Sequence, residues 1–300
     1  MVRKAFKRGL MAVSAVMVFI FVVFASNARA NGPTKYPIVL VHGWFGFSQI
    51  LGVSYFYGVQ NYLESQGYKV YVTQEDMFGT IQTRGAELAG QIQTILNQTG
   101  AGKVNIIAHS MGALDSRYLI SSLGFGDRVA TLTMIGGVNH GTSIADVALG
   151  LMPGSMQDAL GILSWFAGCS VDQENYATCE QNAITSARQL TEKYVRGTFN
   201  PENPNDPRVK YFSYGGSTWP FYISPVVALV MVPSWLIIYA NEGANDELVS
   251  VNSAKWGTYM GTLHTDHLGE VGQLLGVPAE GFQWLKFYGT IAQNLKNMGD

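Results

Sequence analysis

Lys103-Val-Asn-Ile-Ile-Ala-His-Ser-Met-Gly112 is the stretch on which the fold turns. Val104 to Ala108 is a short apolar run, the composition of a strand buried on both faces. Ala108-His109-Ser110-Met111-Gly112 then sets a serine between two small residues, and Met111 to Leu123 reads as a helix. A serine at a sharp strand-to-helix turn needs small neighbours two before and two after it. The turn lifts the hydroxyl clear of the sheet and makes it a candidate nucleophile. Alanine at 108 departs from the commoner glycine but is still small. The pentapeptide alone is weak; the strand before it and the helix after it give it meaning.

The neighbouring segments repeat that alternation. Tyr36 to Val41 is an apolar run ending at His42-Gly43, and Lys69 to Thr73, Val129 to Ile135 and Arg208 to Tyr214 read as further strands. Val53 to Ser65 reads as a helix. Thr83 to Gln98 reads as another, with Leu88, Ile92, Ile95 and Leu96 at helical spacing. Strands alternating with helices imply an α/β fold: a mostly parallel central sheet with helices on both faces. From about 142 to 205 the pattern changes. Ile144 to Ala167 is apolar and helical, broken at Pro153-Gly154, and its one-sided apolar stripe makes it a candidate lid within a helical cap. Trp219 to Ala240 is a second apolar stretch. Its prolines, Pro220, Pro225 and Pro233, argue against a membrane span. Pro225 to Val232 reads as cap or pocket wall and Trp235 to Ala240 as a strand.

The first thirty residues stand apart. Arg3, Lys4, Lys7 and Arg8 precede an apolar run from Leu10 to Ala25, and Ala28-Arg29-Ala30 has the small-x-small form of a cleavage site. Residues 1–30 therefore read as a secretory signal peptide, the other reading being an uncleaved anchor. Residues 31–300 suit one large α/β domain. Losing five basic residues of the 19 leaves 14 against 21 acidic ones, a net charge of −7 rather than −2. That balance excludes a nucleic-acid partner, which needs a basic face. Export puts Cys169 and Cys179 in an oxidising compartment, where a disulfide between them is expected.

A serine hydroxyl is a poor nucleophile at neutral pH and needs a base, itself oriented by an acid. In folds with this turn the chain order is serine, acid, histidine. Beyond the cap only His264 and His267 remain as bases. His267 precedes Leu268, Val271, Leu274 and Leu275, so it opens a helical pattern. Asp246 follows the expected strand 235–240, where such an acid is needed. Glu242, Glu247 and Asp266 read as solvated competitors. His42-Gly43-Trp44 ends the first strand, so the backbone N–H groups of Trp44 and Met111 are the candidate oxyanion donors. His42, His109 and His140 read as structural.

These blocks resemble the secreted bacterial true lipases of the Pseudomonas and Burkholderia type, members of the α/β-hydrolase superfamily. The likeness rests on Tyr36-Pro-Ile-Val-Leu-Val-His-Gly43, Gly46-Phe47, Ile50-Leu-Gly-Val53, Tyr71-Val-Thr73 and Lys103 to Ser110. It returns in Ala244-Asn-Asp-Glu-Leu-Val249 and Asp266-His-Leu-Gly-Glu-Val271. It is dense over 34–150, sparse through the cap, and resumes from about 209. The resemblance implies an α/β-hydrolase fold. It implies a Ser110, Asp246, His267 triad, preferring His267 to His264, and an oxyanion residue at Trp44. It implies hydrolysis of lipid esters at an oil–water interface, as a secreted triacylglycerol lipase.

Two departures stand out. The family usually holds a structural calcium with two aspartates, one of them two positions after the histidine. Here that position is Gly269, and Trp219 to Ala240 contains no carboxylate. The expectation is therefore no metal site and no cofactor. The family's disulfide lies around the triad acid, whereas both cysteines here lie in the cap. The incomplete match argues against a dedicated folding helper. The alternatives are a carboxylesterase or polyester hydrolase acting on shorter esters and, in another class, a non-enzymatic lipid-binding or chaperone-like module. The filled triad positions speak against the last.

Overall fold

The computed structural model describes residues 33–44, 46, 49–50, 53–150, 183–219, 225–273 and 275–300. Six strands form one sheet: β1 (Ile38–Val41), β2 (Val70–Val72), β3 (Val104–His109), β4 (Val129–Ile135), β5 (Lys210–Gly216) and β6 (Thr258–Leu263). Their order is β2-β1-β3-β4-β5-β6, and every pair is parallel. β1, β3 and β4 are buried along their whole length. That is why they read as mostly apolar runs: helices cover both faces, and the polar side chains among them are buried, Thr131 donating to Asn105.

Those helices include α1 (Val59–Ser65), α2 (Ile81–Thr99), α3 (Gly112–Ser121), α4 (Ser143–Ala148), α5 (Pro225–Glu242) and α6 (Trp284–Asn297). α2 starts at Thr80, whose hydroxyl accepts from the Thr83 N–H, and stops at Gly100 in the left-handed conformation. Its apolar stripe, Leu88, Ile92, Ile95 and Leu96, packs with Val39, Val41, Val104, Ile106 and Leu132. On the other face Phe56, Val59, Leu63, Tyr288, Ile291 and Leu295 pack with Ile38, Leu40 and Ile107. Each such side chain contributes about 1.5–3 kcal/mol on burial. This double-sided core holds the sheet rigid beneath the strand ends where the candidate site sits.

Several expectations need correction. Trp235 to Ala240 is not a strand but the second half of α5, which runs through Pro233. An apolar run without polar alternation cannot be told from a buried strand by period; its length should have decided for helix. Only residues 59–65 of the expected helix 53–65 are helical. Val53–Ser54 pairs instead with Gln49–Ile50, and Gly58 in the left-handed conformation starts the helix. The segment after His267 is a single 3-10 turn, Gly269–Val271, stopped by Gly272 at φ 77. β6 and α6 were not foreseen.

The start of the expected lid, α4, is buried through Ile144, Val147 and Ala148 and packs with Ile238 of α5. Its apolar face is core rather than an exposed mouth. The rest of the lid, together with Cys169 and Cys179, lies outside the described residues. Among the described residues no helix is long and apolar enough to cross a membrane.

Candidate active site

Ser110 sits at the end of β3 with φ 55, a left-handed conformation that is strained for a residue with a Cβ. Strain of this kind gathers where a backbone must aim a side chain. The turn closes tightly. A Cβ on Gly43 would lie 2.6 Å from Ser110 Cβ and 3.1 Å from Ser110 Oγ. A Cβ on Gly112 would lie 2.7 Å from the His42 carbonyl oxygen and 2.9 Å from that of Val41. So the end of β1 lies directly against the start of α3, and only glycine at 43 and 112 permits it. That contact brings Trp44, next after Gly43, and Met111, next after Ser110, to the same corner.

Asp246 lies on the loop after α5 and is wholly buried. Its Oδ1 accepts from the Leu248 N–H at 3.0 Å and the Val249 N–H at 2.7 Å. Its Oδ2 accepts from His267 Nδ1 at 2.8 Å. The His267 N–H donates to the Asp246 carbonyl at 2.9 Å, fixing the two loops to each other. With Nδ1–H held by the carboxylate, Nε2 is the nitrogen left to accept a proton. The His267 ring lies 4.4 Å from that of His109, the residue before Ser110. His264 is exposed and stands apart from this arrangement.

The acids read as solvated are not. Glu242 is spent on Ser143 N–H and Ser250 Oγ–H. Glu247 is fully buried at φ 88, and among the described residues neither carboxyl oxygen has a hydrogen-bond partner. Burial, then Asp266 and Asp246, push its pKa well above the carboxylate range, which favours the neutral acid.

Asp266 is nearly as buried. Its Oδ1 accepts from the Gly269 N–H at 2.6 Å and its Oδ2 from the Ala279 N–H at 3.0 Å. The family's calcium does not fit these residues. Gly269 offers no ligand, a Cβ there would collide with Thr265 Oγ1, and Asp266 already ties the loop by its two backbone bonds. Among the described residues one trio, His109, His267 and Glu270, brings ligand atoms within 4.8 Å. Those atoms are already engaged with one another, Tyr55 and Asp246.

Two groups escaped sequence reasoning. The first is Arg84, fully buried on α2. Its Nε donates to Asp115 Oδ2 at 2.8 Å, on α3. One terminal nitrogen donates to the Asp76 carbonyl at 2.6 Å; the other donates to the carbonyls of His42 at 2.9 Å and Gly43 at 3.3 Å. The guanidinium fork thereby clamps the loop after β1 onto the helix that follows Ser110. A signal existed: Arg84 falls three after Ile81 and four before Leu88, a charge within an apolar stripe. The second is Glu270, three residues after His267 and wholly buried, with Oε2 3.0 Å from His109 Nε2 and 3.7 Å from His267 Nδ1.

His42 and Glu75 approach to 3.2 Å but are not an ion pair. Burial, helped by Arg84, lowers the His42 pKa to about 3, while burial raises that of Glu75 to about 7. His42 Nε2 accepts the Glu75 N–H at 3.0 Å and its Nδ1–H donates to the Gly43 carbonyl at 2.8 Å. It is a structural histidine, as expected. His140, half-buried, lies with its ring tilted 51° to that of Trp256 at 5.5 Å, away from Asp246 and His267.

The comparisons with known proteins agree with this architecture. The family model of the alpha/beta hydrolase fold matches residues 36–206. A triacylglycerol lipase of Vibrio cholerae is 31% identical over 269 residues, covering 84% of this chain and 85% of that protein. The chain belongs to the α/β-hydrolase family. A triacylglycerol lipase of Burkholderia plantarii is 30% identical over 308 residues, 84% of this chain and 83% of the relative. The hydrolase also shares its fold with the mature form of Bacillus licheniformis lipase BlEst2. There the TM-score is 0.64 at 22% identity, covering 88% of this chain and 93% of that one. It groups with the bacterial lipases of this superfamily and is a carboxylic ester hydrolase.

Proposed function

We propose that the hydrolase is an exported triacylglycerol lipase working through an acyl-enzyme on Ser110. The observation that carries this reading is the Asp246–His267 pair, 2.8 Å apart and buried, beside the strained turn at Ser110. His267 Nε2 takes the hydroxyl proton as Ser110 Oγ attacks the ester carbonyl carbon. The backbone N–H groups of Trp44 and Met111 hold the oxyanion, and Asp246 stabilises the imidazolium. The C–O bond to the alcohol breaks, and His267 returns its proton to the leaving oxygen. Water, deprotonated by the same nitrogen, then attacks the acyl carbon; the bond to Ser110 Oγ breaks, His267 returns the proton to Oγ, and the acid leaves. Loss of one oxyanion donor raises the barrier by about 3 kcal/mol.

The names of the Vibrio and Burkholderia relatives support triacylglycerol as the substrate class. The basic, then apolar, then small-residue leader over 1–30 supports export, leaving a single domain over 31–300 with its cap. The partner implied is a lipid surface. Ser110→Ala is expected to abolish ester hydrolysis while leaving the melting temperature near that of the wild type; a variant that stays active overturns the reading. Rates on emulsified long-chain triglyceride against soluble short esters distinguish a lipase from a carboxylesterase or polyester hydrolase. Mass spectrometry of the exported protein, expected to begin at Asn31, tests removal of the leader.

A further inference from the structure

Between the loop after β1 and Glu270, which lies beside His267, runs a chain of hydrogen bonds that the mechanism above does not use. The Gly43 N–H donates to Tyr55 Oη at 3.3 Å. Tyr55 Oη meets His109 Nδ1 at 2.6 Å, and His109 Nε2 meets Glu270 Oε2 at 3.0 Å. That same oxygen lies 3.7 Å from His267 Nδ1. Residues from four separate segments thus link the loop after β1 to Glu270, whose carboxyl stands against the base without bonding it.

The last link occupies a built cavity. A Cβ on Gly136, just past β4, would collide with Glu270 Oε2 and lie 3.2 Å from Asp246 Oδ2. A Cβ on Gly216, at the end of β5, would lie 2.5 Å from Glu270 Oε1 and 2.8 Å from Asp246 Cβ. Two strand ends therefore carry glycine where a second carboxyl must fit beside the first. A carboxyl buried next to Asp246 with no cation against it is costly unless it is neutral.

We propose that Tyr55, His109 and Glu270 form an uncharged positioning relay that holds the oxyanion loop in register with His267. The proposal rests on the reading of Ser110 and His267 given above, and Tyr55 and Glu270 are positioning residues in it. The protonation of the links agrees. Burial, with Asp246 and Asp266, pushes the Glu270 pKa well above the carboxylate range. Burial, then His267, pushes that of His109 well below its ordinary value, and burial raises that of the Tyr55 phenol. Each link then carries one shared proton whichever way the chain runs, and no second negative charge competes with Asp246 for His267. Removing the phenol oxygen releases the Gly43 N–H and His109 Nδ1 together. The Gly43–Trp44 backbone loses one of its ties, and with it the placement of the Trp44 donor against the developing oxyanion.

The test compares Tyr55→Phe, Glu270→Leu and Glu270→Gln on a soluble p-nitrophenyl ester. Labelling of wild-type Ser110 by a phosphonate probe is measured first; if the wild type is not labelled, the function fails before the relay is reached. Given labelling, Tyr55→Phe should lower kcat about tenfold with KM little changed, because a misplaced donor acts on the transition state and not on ester binding. Glu270→Leu, which strands His109 Nε2, should show the same split. Glu270→Gln, neutral and of the same shape, should recover most of what Glu270→Leu loses. Wild-type kcat in Tyr55→Phe overturns the relay, and so does a Glu270→Gln variant as impaired as Glu270→Leu, which would mean that the link is ionic. If Tyr55→Phe does not fold, the two Glu270 variants decide alone.

Discussion

Replacing Gly43 by alanine tests how closely the loop after β1 must approach Ser110, the proposed nucleophile. The added Cβ would stand 2.6 Å from Ser110 Cβ and 3.0 Å from Tyr55 Oη. Carbon atoms in contact sit about 3.5–4.0 Å apart, so the loop or the serine must retreat by about 1 Å. Both neighbours are fixed. Ser110 is backbone-bonded to Ile135, and the loop is held by Arg84 at the carbonyls of His42 and Gly43. A misplacement of about 1 Å costs about a hundredfold in rate, or about 2.7 kcal/mol in the barrier. Overpacking of this kind also destabilises by about 1–3 kcal/mol, which lowers the melting point by about 2–4 °C for each kcal/mol.

Kinetics on a soluble ester, with active sites counted by phosphonate titration, should show kcat reduced about a hundredfold and KM nearly unchanged. Ser110→Gly supplies the control for stability. It removes the clashing Cβ at a residue whose φ of 55 suits glycine, so Gly43→Ala in that background should cost little melting temperature. A Gly43→Ala enzyme with kcat within about threefold of wild type (about 0.65 kcal/mol) would refute the close-approach argument.

Asp246→Asn should lower kcat by about ten-thousandfold with little loss of stability. The amide oxygen keeps the Leu248 and Val249 N–H groups, and the amide nitrogen then faces His267 and imposes the wrong tautomer; the two readouts are turnover and a thermal melt. Arg84→Lys exchanges a fork for a single ammonium, and should lose about 1.5–3 kcal/mol for a charge-assisted bond to the loop. Stability in denaturant melts and kcat should fall together, whereas an Arg84→Lys enzyme of full activity would deny the clamp.

Glu75, whose pKa rises from 4.5 to about 7 on burial, should make stability pH-dependent. The folded state holds the proton more tightly than the unfolded one, so this contribution is intact below 4.5 and is lost as pH rises through about 7. At about 1.36 kcal/mol for each pH unit the loss comes to about 3 kcal/mol. Glu75→Gln should flatten the stability profile between pH 4.5 and 7; an unchanged slope there would show that another group carries it.

The strands and the turn at Ser110 could be read without coordinates because local rules and burial agree there. A parallel strand covered on both faces is mostly apolar, and a serine at the strand-to-helix turn must have small neighbours. The order of residues and the scarcity of late histidines pointed to Asp246 and to His264 or His267, because few residues could do the chemistry; the resemblance to the bacterial lipases chose His267. α5 was misread because its sequence is apolar on all sides and carries no period. β6 was missed because it is an edge strand with one partner, and its exposed residues show little of the apolar run that marks an inner strand.

The sequence by itself determined the elbow, the alternation of strand and helix and the chemistry that a serine, an acid and a histidine permit. These depend on residue type and short-range geometry. Tertiary structure alone decided which of the buried acids is paired. Asp246 is met by two backbone N–H groups and a histidine, while Glu247 is buried without a hydrogen-bond partner among the described residues and Glu270 faces His109. It also decided that Arg84 holds the loop after β1 and that Tyr55 reaches His109 across 54 positions of sequence. Whether a carboxyl is solvated or buried, and what it meets, depends on which distant segments converge on it. No local spacing encodes that convergence.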